Sequence, residues 1–79
     1  MIQPTPINLC HARCGQLLRI VSLQAGIAEC DRLRELGFCE SARVCKLSEG
    51  GAMICRLQGI RVAIGRELGR HVLVEPVAA

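Results

Sequence analysis

Cys10-His11-Ala12-Arg13-Cys14 is where the sequence comes nearest to a metal-holding or reactive segment. Two thiolates and an imidazole in so short a stretch supply soft and borderline donors suited to zinc or ferrous iron. Cys10, His11 and Cys14 would be the ligands, and a closed site would need a fourth from a distant residue, solvent or a second chain. The spacing is not that of a CxxC knuckle, and no second pair follows it. The competing reading is a pair of exposed thiols in an extended segment. Cys30, Cys45 and Cys55 fall where a helix or strand would turn them inward, as small hydrophobes. Cys39 reads as a loop residue with no adjacent base to activate it, and His71 as an edge residue at the start of a strand. No phosphate-cradling GxxxxGK motif, no HExxH and no Cys-His-Asn set is present. Catalysis is therefore not expected, and no cofactor is required.

The bulk properties narrow the field further. Seventy-nine residues make one small domain. Apolar residues account for 51% of it and charged residues for 22%, which excludes a disordered chain. Phe38 is the only aromatic, so the core must come from Ile, Leu, Val, Ala and Cys. The net charge of +3 arises from basic residues that never form a run. Nucleic-acid binding normally shows a basic stripe and aromatics for stacking, and with neither it is not expected. No stretch reaches the roughly 20 apolar residues that span a bilayer, and the start, Met1-Ile2-Gln3-Pro4-Thr5-Pro6, is unlike a secretory signal. A cytoplasmic chain with reduced cysteines is the expectation.

Residues 1–15 read as an extended lead-in carrying the Cys/His segment, and 16–76 as the folded domain. Alternation predicts a strand over 16–23, with Leu18, Ile20 and Ser22 on one side. Ile27, Cys30, Leu33 and Leu36 recur at helical spacing, and Gly37 is placed to end that helix in a left-handed conformation. Strands follow over 43–48 and 52–58, joined at Glu49-Gly50-Gly51, where a Gly-Gly pair suits the positive φ of a tight hairpin. Gly59 allows a sharp bend before Ile60, Val62 and Ile64 alternate in the next strand, and residues 71–75 form the last. A mainly β fold results: a small barrel of about five strands, with one short helix after the first strand.

The helix ending Arg32-Leu33-Arg34-Glu35-Leu36-Gly37-Phe38, the segment Gly59-Ile60-Arg61-Val62-Ala63-Ile64 and the closing Val72-Leu73-Val74-Glu75-Pro76 are together similar to the FeoA family, over roughly residues 16–76. The resemblance implies an SH3-like barrel and a non-catalytic role in ferrous-iron uptake. It also implies a partner, the membrane ferrous-iron transporter FeoB with its cytoplasmic GTPase domain. A related module closes metal-dependent repressors, but no helix-turn-helix precedes it in this sequence. Glu40-Ser41 stands where the family commonly has Pro-Gly, Gly65 where Arg is usual, and Gly69 where Ala is common.

Candidate partner contacts are Phe38, Arg43, Arg61 and Arg66, although for Phe38, the only aromatic, the plug of the barrel end is the favoured reading. One aromatic cannot line a groove for proline-rich peptides. Two functions are carried forward: an adaptor that docks on the transporter and modulates it, and a metal-thiolate carrier or sensor built on Cys10, His11 and Cys14. The cysteine-rich start could also bridge two chains as a homodimer.

Overall fold

The computed structural model describes residues 6–77. In chain order the elements are β1 (Ile7–Asn8), a 3-10 turn (Leu9–His11), β2 (Leu17–Leu23), α1 (Ile27–Leu36), β3 (Arg43–Glu49), β4 (Met53–Leu57), β5 (Ile60–Ile64), the single turn α2 (Arg66–Gly69) and β6 (Val72–Pro76). They form one antiparallel sheet ordered β1-β6-β2-β3-β4-β5. The mainly β, SH3-like architecture expected from the sequence is present, with two differences. A two-residue strand precedes the expected first one, so the helix follows β2. The sheet is also open: its end strands β1 and β5 do not pair with each other.

Period-two alternation sends Leu18 and Ile20 of β2, Val44 of β3, Met53, Cys55 and Leu57 of β4, and Val72 and Val74 of β6 to one face, where none is more than 3% exposed. The segment placed in the lead-in also packs there: Leu9 and Ala12 are buried in this core, and β1 is held in register with β6 through Ile7 opposite Val74.

The helix buries less than its spacing predicts. Leu33 is fully buried and Cys30 half-buried, but Ile27 is 85% exposed and Leu36 is on the surface. Its firm anchor is the C-terminal end. Gly37 takes φ 106°, and the N–H of Phe38 donates to the carbonyl of Leu33 at 2.9 Å, closing the turn as a Schellman motif does. A side chain on Gly37 would meet Leu57 Cδ2 at 2.9 Å. The turn drives Phe38 into the core, where it has no exposed surface.

Positive φ at a hairpin falls at a different place from the one expected. Neither Gly50 nor Gly51 adopts it; the pair that does is Gln58 (53°) and Gly59 (82°), between the facing residues Leu57 and Ile60. This is the type I′ geometry that suits the twist of a two-residue hairpin. The β3–β4 hairpin instead carries a register shift between Lys46 and Ser48, a bulge that lets a longer loop close it without left-handed residues. Ser41, at the position where the family commonly has glycine, takes φ 72° and donates its N–H to Ile20 O at 2.8 Å. Gly69 has a packing reason: a Cβ there would collide with the Met53 methyl group.

Candidate docking surface

Two groups of cations lie on opposite faces of this sheet. The core-facing one centres on Lys46, the only charged residue among the described residues that is buried. Its ammonium donates to Leu9 O and Cys10 O, each at 3.2 Å, and to Glu49 Oε1 at 3.0 Å. Three donors thus meet three acceptors, which a buried ammonium requires. Arg66 Nη1 lies 3.7 Å from the same Glu49 oxygen, and Cys10 Sγ donates to Arg66 O at 3.3 Å. The cluster ties the 3-10 turn and α2 to β3. The Lys46 hydrogen bond and charge hold the Glu49 carboxyl below the usual glutamate range.

The solvent-facing group follows from register. Leu17 pairs with Cys45, Cys45 with Arg56, and Arg56 with Arg61, so these four residues form a row across β2, β3, β4 and β5 on the face away from the core. Arg19 opposite Arg43 starts the next row. Arg19 is taken up by Glu75. Arg43, Arg56 and Arg61 are exposed, and among the described residues none has a carboxylate within ion-pair distance. Between the rows lies a shallow groove of about 490 Å³, lined by Leu17, Ser41, Arg43, Cys45 and Arg56 and mostly apolar.

The expected contact residues separate accordingly. Arg43 and Arg61 share the outer face, joined there by Arg56, which sequence reasoning missed. Counting outward from Gln58-Gly59 would have placed Arg56 opposite Arg61. Arg66 belongs with the Lys46–Glu49 cluster. Phe38 has no exposed surface to offer a partner and lies in the core, where the favoured reading put it.

The Cys/His segment does not converge. Cys10 faces the Arg66 carbonyl, His11 Nδ1 lies 3.5 Å from the Asn8 amide, and Cys14 is exposed. Among the described residues no three His, Cys, Asp or Glu side chains gather as a metal would need. Cys55 is buried as expected, and burial pushes its thiol up to about 11, leaving it protonated and inert near neutral pH. Cys30 and Cys45 are half-buried and Cys39 is exposed. No helix among the described residues is long and apolar enough to cross a membrane.

An open SH3-like sheet with a cationic outer face defines the class, a small mainly β domain. The chain matches the FeoA domain family over residues 7–76 and belongs to that family, which is associated with ferrous-iron uptake. Solved structures agree on the fold. An iron uptake regulatory protein (FeoA) superposes with a TM-score of 0.88 at 24% identity, covering 94% of this chain and 100% of that one. The FeoA protein from Chlorobium tepidum gives 0.81 at 21% identity over 91% and 71%. A manganese-dependent transcriptional repressor in complex with manganese gives 0.87 at 16% over 95% of this chain but 38% of that one. No curated protein matches the sequence.

Proposed function

We propose that this chain is a cytoplasmic, non-catalytic accessory protein of ferrous-iron uptake that docks on the membrane ferrous-iron transporter FeoB and shifts its conformational populations. The observation carrying this reading is family membership over nearly the whole described chain. The outer face supports it with a place to dock: exposed Arg43 and Arg56 line an apolar groove, and Arg61 lies beside Arg56. Among the described residues none of the three has a carboxylate within ion-pair distance. Arginine is among the residues enriched at interfaces. Binding by charge and apolar contact also needs none of the aromatics this sequence lacks.

Co-purification of the untagged chain with the transporter in reducing buffer tests the reading. The expected result is retention of the wild-type chain and its loss in an Arg43→Glu/Arg61→Glu variant that keeps its fold. Failure of the wild-type chain to be retained, with and without guanine nucleotide, would overturn it.

A further inference from the structure

The two ends of the open sheet are not alike. β1 is two residues long and follows Pro6, so it presents little that another strand could pair with. β5 is five residues long and contains no proline. Its flanking turn is a two-residue hairpin closed by Leu57 opposite Ile60. In such a hairpin the residues next to the loop exchange hydrogen bonds, and bonding alternates from there. The backbone N–H and C=O groups of Arg61 and Ala63 therefore point away from β4. No other described residue takes up backbone groups of residues 60–64.

The side chains say what kind of strand would fit. Toward the core side β5 presents Ile60, which is 67% exposed, and half-buried Val62. Toward the solvent face it presents Arg61, directly opposite Arg56 in a non-hydrogen-bonded pair, where side chains come closest. Like charges so placed destabilise a sheet, and no described carboxylate relieves them. A neighbouring strand with acidic residues on that face would. A single charge on an edge guards it against copies of itself, since antiparallel pairing of two β5 strands would put both Arg61 side chains on one face. By the same Coulomb argument it admits an acidic strand.

We infer that β5 is a strand-addition site for an extended partner segment in which acidic and aliphatic residues alternate. The aliphatic side chains continue the core beside Ile60 and Val62, and the acidic ones lie beside Arg61 and Arg56. Main-chain bonds to Arg61 and Ala63 supply the attachment, and the side-chain pattern supplies the selection. This rests on the docking reading above only in taking the partner to be a protein.

The test is amide hydrogen exchange of the full chain, titrated with a short synthetic peptide alternating Glu and Val. A Lys–Val peptide and a single-stranded oligonucleotide serve as comparisons. Slowed exchange at the Arg61 and Ala63 amides with the Glu–Val peptide alone is the expected result. Ala63→Pro removes an outward N–H that β4 does not use, so it should fold like the wild type and weaken the peptide at least about tenfold. Arg61→Glu should lose the Glu–Val peptide and gain the Lys–Val one, which keeps the test decisive if the proline variant fails to fold. No protection at Arg61 and Ala63, equal binding of both peptides, or preference for the oligonucleotide would each overturn the inference. Transporter retention by both the wild type and a folded Ala63→Pro variant would remove the strand-addition site and leave docking standing. Peptide binding at β5 by a chain the transporter does not retain would do the reverse.

Discussion

Lys46 and Arg56 sit on adjacent strands of one sheet, and their circumstances are opposite. Lys46 faces the core, is fully buried, and meets an acceptor with each of its three donors. Arg56 faces solvent directly opposite another arginine and has no described carboxylate to pair with. In water the second arrangement costs little, because solvent screens exposed charges. Inside the domain the same neglect would cost several kcal/mol. The domain thus satisfies the cation that burial makes expensive and leaves open those that solvent keeps cheap, and the open ones are available to something else.

That contrast can be broken most strongly at Lys46. Lys46→Ala should lower unfolding stability by about 2–4 kcal/mol, because it leaves the Leu9 and Cys10 carbonyls without the donor that now satisfies them, while exposed Glu49 is taken up by water. Urea unfolding reads the loss, and a change under about 1 kcal/mol, the size of an exposed ion pair, would show that the cluster does not anchor the 3-10 turn. Acid probes the same cluster more gently, since Lys46 keeps its two carbonyl acceptors when Glu49 is protonated. With its carboxyl lowered in the fold, Glu49 contributes stability that is fully present above the ordinary glutamate pKa. That contribution drains away as pH falls through the lowered value. The urea midpoint of the wild type should therefore fall more steeply on acidification than that of Glu49→Gln.

On the solvent face the expected changes are smaller and of opposite sign. Ser41→Gly should stabilise the chain by about 1 kcal/mol, since it removes a side chain from a left-handed backbone position. Thermal unfolding would show it, and a destabilised variant would mean that the serine side chain is needed at the groove. Arg56→Gln should stabilise by roughly 0.2–1 kcal/mol at low salt by relieving the pair with Arg61, and the gain should shrink as salt is added. An Arg56→Gln variant less stable than the wild type at every ionic strength would show that the arginine already has a favourable role in the free domain.

How far the sequence could be read follows the same division. Leu18, Ile20, Val72 and Val74 were legible because alternation and burial coincide. Gly37 was legible because only a left-handed residue ends a helix in that way. Lys46 was not: it occupies a core-facing position of β3, and its partners Leu9 and Cys10 come from a segment that looked like a lead-in. β1 was too short for any periodic signal. Ile27 and Leu36 kept a helical period without burial, because period reports a face and not what covers it. Arg43 and Arg61 could be named as candidates from exposure, but register alone brings them together with Arg56. Cys10, His11 and Cys14 are close in sequence, yet the backbone turns them toward different neighbours.

The place of β6 has a consequence for how the domain is made. This strand comes last in the domain yet lies between β1 and β2, pairing with both. During synthesis the hairpins joining β3, β4 and β5 can close as soon as they emerge, on a timescale of about microseconds. The first two strands, with Leu18 and Ile20, must wait with a bare flank until Val72 and Val74 have left the ribosome. A nascent chain stalled before residue 72 would expose that flank to chaperones and to other chains, whatever the stability of the finished fold.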